Sequence, residues 1–380
     1  MTKNIGLLAG IALLGLVSAC GNENSNDSQK KVVTRVAIEE SVFKATELEA
    51  TVDGLIDAID QTAPADLQLS VNLKALTGYW DPVVVGANRA LGELDVEGAV
   101  EAVDTTKVPQ GASSDDTTRL QAAMLKETRE AGADGFGIAA ITDVLVDELN
   151  TAVDAGIPVI TIDSDLANSK RDLYIGTLNA EAGKTAGNSL KALMPAAPGT
   201  VIILGYELEN WPDGYDRTMA TKNVLEASGY TVVVRRTLWE EGGEEKDIQF
   251  MAETINTATP PVVGMIGMFS NAYRCAMAAE VAGKTGNDIA IAAFDFDSKT
   301  VSYMQSGLIK VTHAQRQYYM GYLTPYILYG MNVLGKTKTK ALLSAQMVDE
   351  YRFNSGLDVV KAEQLDQYYS FLDKLGVSGS

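Results

Sequence analysis

From about Leu67 onward, short apolar runs alternate with amphipathic stretches, the pattern of strand and helix units built around a parallel sheet. The first run, Leu67 to Leu73, ends in the loop Thr77-Gly78-Tyr79-Trp80-Asp81-Pro82, and a helix is expected from Val83 to Leu94. A second unit passes through Val100 to Val103 to a loop whose Asp115 and Asp116 are placed to cap a helix from Thr117 to Ala131. A strand from Gly135 to Ala140, a helix from Val144 to Ala155, a strand from Ile157 to Asp163 and another around Tyr174-Ile175-Gly176 follow. The same grammar then repeats, with strands at Thr200 to Leu204, Tyr230 to Thr237, Val262 to Met268 and Asp288 to Asp295. Helices at Ala180 to Leu193, Arg217 to Ser228, Asp247 to Ala258 and Asn271 to Gly283 are interleaved with them, and a long helix from Gln317 to Leu334 returns to the first lobe.

The fold class expected is therefore α/β, with two similar lobes, each a parallel sheet flanked by helices, joined by a hinge. The lobes are read as 67–177 plus 316–350 and 178–315 plus 351–380, with a tether and helical extension at 21–66. Within that extension Ser41 to Asp60 reads as helix, and the pattern does not say what it covers. The strand Gly156-Ile-Pro-Val-Ile-Thr-Ile-Asp163 has an echo in Asp288-Ile-Ala-Ile-Ala-Ala-Phe-Asp295. Open parallel sheets bind ligands beyond the carboxyl ends of their strands, so two facing lobes would aim two aspartates into one cleft.

The N-terminus adds an address. Lys3, the apolar run Ile5 to Leu16 and the small residues before Cys20 have the layout of a secretory signal, with an apolar stretch too short to span a membrane. Leu16-Val-Ser-Ala-Cys20 resembles the lipobox of bacterial lipoproteins, which implies cleavage before Cys20 and its lipidation. The polar run Gly21 to Lys31 then reads as a spacer. Of two cysteines, Cys275 is left without a partner, and a helical position suits it as a small buried hydrophobe.

The formal charge of −19 lacks the basic face that nucleic acid would need, and it disfavours anionic ligands. The single histidine, His313, reads as a satisfied strand residue, and no Cys, His and carboxylate cluster has metal-ligand spacing. No Gly-x-Ser-x-Gly elbow is present, and no cofactor or metal is expected.

Ala133-Asp-Gly-Phe-Gly-Ile-Ala-Ala140, Ala152 to Asp165, Tyr174-Ile-Gly-Thr177 with Glu181-Ala-Gly-Lys184, Asp213-Gly-Tyr-Asp-Arg217, Ala293-Phe-Asp295, Met320-Gly321 and Ser355 to Lys361 together resemble the ribose-binding-like sugar receptors of bacterial ABC transporters, the type I periplasmic binding proteins. The resemblance runs from about Leu67 to Tyr369. It implies two lobes closing on one monosaccharide or polyol, with Asp163 and Asp295 as ligand aspartates, Arg217 as the arginine, Gln315 near the hinge and Tyr79 and Trp80 as stacking aromatics. Ser164 stands where close relatives of the ribose binders carry arginine, and Ser270-Asn271 replaces an Asn-Asp pair. Trp211 and Trp239 are further candidates for lining the cleft.

Sugar hydroxyls both donate and accept, so a receptor combines acceptor-only carboxylates, donor-only guanidinium and two-way amides. Asp163, Asp295, Arg217, Asn271 and Gln315 supply that mixture. A bland alternative stays open for each: a strand-end carboxylate can cap a backbone amide, and a loop tryptophan can pack in the core. Arg217 at a helix start, where the positive helix end disfavours it, asks for another reason. The partners expected are a small carbohydrate, an ABC permease and the membrane through the N-terminal lipid, for a monomeric chain. Two other readings are a receptor on the same fold signalling to a membrane sensor, and a glycan-active enzyme using paired carboxylates.

Overall fold

In the computed structural model, residues 30–108 and 111–377 are described; the signal segment and Cys20 lie outside them. The strands are β1 (Gln68–Leu73), β2 (Glu97–Ala102), β3 (Gly135–Ile138), β4 (Val159–Ile162), β5 (Leu173–Gly176), β6 (Thr200–Gly205), β7 (Thr231–Arg236), β8 (Val262–Gly267), β9 (Ala290–Phe294), β10 (Ile309–Gln315), β11 (Arg352–Asn354) and β12 (Leu357–Lys361). They form two six-stranded sheets, ordered β11-β5-β4-β3-β1-β2 and β12-β10-β9-β8-β6-β7. The first is parallel throughout, and the second is parallel except for β12, which runs against β10 with His313 opposite Val359. Both faces of such sheets are covered, which is why the strands read as near-continuous apolar runs.

The helices are α1 (Thr46–Ile59), α2 (Asp81–Leu94), α3 (Ser114–Glu130), α4 (Val146–Asp154), α5 (Asn179–Leu193), α6 (Pro212–Ala227), α7 (Gly243–Thr257), α8 (Tyr273–Val281), α9 (Ser298–Gln305), α10 (Gln317–Val333), α11 (Lys336–Leu342) and α12 (Leu365–Leu375). Helix starts shift by up to five residues from the sequence expectation, and two of the shifts have a clear local cause. Helix α3 begins earlier, capped by Ser113 in a reciprocal box with Asp116. Helix α6 begins at Pro212, the favoured first position for proline. Arg217 therefore lies in the second turn and does not open the helix.

The chain passes between the sheets after Gly176, after Gln315 and after Asn354. The third crossing, expected around Tyr351 to Asn354, comes at the end of that stretch, because Arg352–Asn354 pairs with β5 in the first sheet. Helix α12, assigned by sequence to the second lobe, places Tyr368, Phe371 and Leu375 in the core of the first lobe and only Leu365 in that of the second.

Residues 30–59 cover the first lobe. Helix α10 is buried on every side from Gln317 to Met331, five tyrosines included, and α1 packs against it. Arg35, ahead of α1, binds Glu49, Asp53 and the Tyr322 hydroxyl, while Glu93 of α2 accepts from Tyr322 and Tyr326. Arg316, at the second crossing, joins Glu47 of α1 to Asp358 of β12. Two close helix pairs depend on glycine. A Cβ on Gly321 of α10 would lie 2.0 Å from the Val83 carbonyl of α2, and one on Gly183 of α5 would lie 2.2 Å from the Arg217 carbonyl of α6.

Candidate functional site

The carboxyl ends of β1 and β4 in one sheet, and of β7 to β10 in the other, converge on a single cleft, as expected for parallel sheets. Asp163 follows β4 and Asp295 follows β9, and the two are held alike. Both adopt the left-handed region, at φ 63° and 67°, which Asp tolerates better than most residues. The Asp163 N–H donates to the Ile175 carbonyl at 3.0 Å, and that of Asp295 to the His313 carbonyl at 2.9 Å. In each case a hydroxyl of the preceding residue on that neighbouring strand, Tyr174 or Thr312, donates to the aspartate's own carbonyl. Left-handed backbone at a side-chain-bearing residue is a local strain, and among the described non-glycine residues it occurs otherwise only at Asp95, which ends α2. Here it turns both carboxylates out of their sheets and into the cleft.

Around the Asp295 carboxylate, Ser270 donates to one oxygen at 2.8 Å and Gln315 to the other at 2.9 Å. Asp163 accepts from the Tyr79 hydroxyl at 2.6 Å. Ser164, beside it, receives the Lys74 ammonium. Arg217, 6 % exposed, donates to the Asn179 amide oxygen and, at 2.9 Å, to the Met268 carbonyl. Its guanidinium lies over the Phe294 ring, 4.1 Å from the centroid. These bonds to neutral groups hold Arg217 at the cleft without neutralising it, and they supply the reason for its placement.

Electrostatics across the cleft are strained in one direction. Burial pushes the Asp213 carboxyl up to about 7, and the Asp163 charge adds to the effect while Arg217 opposes it. Burial also raises Asp295 against Arg217 and its two hydrogen-bond donors. The Tyr79 hydroxyl is raised well above its ordinary range by burial, then by Asp163 and Asp295. His313 is neutral, lowered by burial to about 4, with ring nitrogens 2.8 Å from the Ala293 carbonyl and 2.9 Å from the Ser189 hydroxyl. Cys275 is buried on α8, and burial pushes its thiol far above the usual range.

Of the residues singled out by sequence, Tyr79, Asp163, Ser164, Trp211, Arg217, Trp239, Ser270, Asp295 and Gln315 line this cavity of about 150 Å³. Trp211 stacks on Phe269 at 4.8 Å, and the 55 % exposed Trp239 leans on the same ring at 5.8 Å. Trp80 and Asn271 are not among its walls. Trp80 is buried in the first lobe's core and meets Tyr79 edge-on at 5.2 Å, so it supports the aromatic that faces the cleft. Asn271 is 3 % exposed and reaches back toward Thr237 at 3.4 Å.

Lys74, Asp213 and Phe269 also line the cavity and were missed, as was Asn179, which positions Arg217. Lys74 directly follows β1 and Phe269 lies two residues past β8, so position past a strand end was the available signal. Among the described residues no group of His, Cys, Asp or Glu could hold a metal ion, and no helix is long and apolar enough to cross a membrane.

The periplasmic binding protein domain matches residues 69–337, and no curated protein matches the chain. A sugar-binding protein of a sugar ABC transporter from Bacillus halodurans is 24 % identical, with a TM-score of 0.66 over 80 % of this chain and 100 % of that one. An arabinose-binding protein from Geobacillus stearothermophilus gives 22 % identity and a TM-score of 0.64 over the same shares. A solute-binding protein from Burkholderia graminis, solved with D-arabinose, gives 22 % and 0.62 over 80 % and 98 %. With two sheets crossed three times and a cleft at the strand ends between them, the chain belongs to the periplasmic binding protein family and has its ribose-binding-like type I fold.

Proposed function

We propose that this protein captures a small neutral carbohydrate between its two lobes outside the cytoplasm and delivers it to an ABC permease. The observation that carries the reading is the mirrored pair Asp163 and Asp295, each turned by a left-handed residue into a cleft that also holds Arg217 and Gln315. Acceptors, donors and two-way groups are thus arrayed around one small space, as the hydroxyls of a sugar require. Trp211, Phe269 and Trp239 offer flat apolar faces beside them, against which the C–H faces of a sugar ring can lie. Such a binder performs no chemistry: the ligand contributes differential affinity for the closed state, and the three crossings act as hinge.

Cys20 would carry the lipid that holds the domain at the membrane, with the polar spacer between them; Cys20→Ala should move the protein from the membrane fraction to the soluble extract. The binding reading is tested by thermal shift and calorimetry against pentoses, hexoses, polyols and nucleosides. Saturation at about 100 times Kd adds roughly 2.7 kcal/mol of stability, and the tryptophans at the cleft should change fluorescence. If no sugar in the panel shifts either signal, sugar capture is the wrong reading.

A further inference from the structure

The cavity at the strand ends does not stand alone. A second one, of about 220 Å³, adjoins it and shares Tyr79, Ser270 and Asp295 as a common wall. Its remaining lining is mixed: Pro82, Phe296, Tyr368, Leu372 and Val377 give apolar walls, and Asp297, Ser298 and Gln317 are polar. Phe296 is fixed edge-on between Tyr368, at 4.8 Å, and Tyr369, at 5.3 Å. Asp297 spends one carboxylate oxygen on capping α9, accepting from the Thr300 N–H at 3.0 Å. Its other oxygen is closed off from solvent, with the Thr300 side chain hydrogen-bonding the same carboxylate.

Size and chemistry narrow the occupant. A pyranose with its hydroxyls takes up on the order of 150–190 Å³ at close-packed density, so one ring fills the first cavity and leaves the second empty. Aromatic and aliphatic side chains gain many small dispersion contacts from an apolar surface laid against them. A purely apolar group would suit those side chains yet offer nothing to Asp297, Ser298 and Gln317 in the same lining. A second sugar ring meets both demands, laying C–H groups on the aromatic wall and hydrogen-bonding its hydroxyls to the polar groups beside it.

Resting on the sugar-binding reading above, we propose that the cleft takes a disaccharide, one ring among Asp163, Arg217 and Gln315 and the other beside Phe296 and Asp297. Calorimetry on the purified protein with D-xylose, D-arabinose, D-glucose and D-galactose, and with xylobiose, arabinobiose, cellobiose and lactose, tests it. At least one disaccharide should bind ten times more tightly than its constituent monosaccharide. Leu372→Trp, which fills the second cavity, and Asp297→Asn, which weakens its acceptor, should each lower the ratio of disaccharide to monosaccharide affinity at least tenfold. A monosaccharide that outcompetes every disaccharide, or a ratio untouched in both folded variants, overturns the proposal and leaves sugar capture standing. Failure of every sugar in both sets overturns sugar capture and the disaccharide with it.

Discussion

Asp295→Asn separates binding from folding more sharply than truncation would. The backbone at this position sits at φ 67°; Asn tolerates that region about as well as Asp, while Ala there costs roughly 1–2 kcal/mol. The substitution keeps the size of the side chain but swaps one acceptor oxygen for a donor NH₂, in a site where Ser270 and Gln315 already donate. A bond from a sugar hydroxyl to a charged acceptor contributes roughly 1.5–3 kcal/mol, so the sugar's Kd should rise about 10- to 150-fold. Stability of the empty protein should behave differently. The folded carboxyl is raised by burial, so the charged form destabilises the fold at neutral pH, and this cost disappears as pH falls through the raised value. Asn removes the charge at every pH, and the empty variant should melt no lower than wild type at pH 7. Calorimetric titration and a melting curve on the same preparation read both quantities. A Kd within threefold of wild type would remove Asp295 from the ligand's contacts and leave it a structural carboxylate.

The Asp213 carboxyl, raised to about 7 from an ordinary value of 3.8, should make the empty protein lose stability as pH rises from about 4 through 7, and Asp213→Asn should flatten that slope in melting curves; an unchanged slope counts against the assignment. Arg35→Ala strands the buried Glu49 and should cost about 3 kcal/mol in denaturant unfolding with sugar affinity unaltered; a loss under 1 kcal/mol would mean the extension is not anchored there. Gly321→Ala forces α2 and α10 apart and should cost about 1–3 kcal/mol. Gly183→Ala presses on the Arg217 carbonyl and should weaken sugar binding about tenfold, and unaltered binding would show that α6 yields without moving the guanidinium.

The two-lobed fold and both aspartates were legible in the sequence for one reason: a buried strand announces itself as an apolar run, and its last residue marks a ligand-facing end. Which of two adjacent residues faces the cleft was not legible. Tyr79 and Trp80 follow one another on a short 3-10 turn, and Ser270 and Asn271 on a tight turn before α8; one step along either turn sends the side chain to the other side. Arg217 was placed at a helix start because Pro212-Asp213 was not read as the first turn. Gly183 and Gly321 sat inside quoted motifs, but their reason, backbone contact between neighbouring helices, exists only once both helices are in place. The cover over the first lobe had an unused sign. Helix α10 carries tyrosine, leucine and isoleucine on all faces, and a helix apolar all round needs burial on all sides, which residues 30–59 supply.

The charges at the cleft also bear on how closure is coupled to the ligand. Asp163 belongs to the first lobe, and Asp213 and Asp295 to the second, and the Asp163 charge raises both of the others. If the lobes close as proposed, bringing them together without a ligand drives like charges into a space from which water is being expelled, opposed by Arg217 and, at Asp213, by Lys74. On the proposed reading, a sugar supplies hydroxyl protons to these carboxylates as the water leaves, so the cost falls on the empty closed state and not on the filled one. That difference between states is what a ligand needs in order to shift a conformational equilibrium. The residues that recognise the sugar are then the same ones that hold the empty receptor open, and neither role requires a separate latch at the hinge.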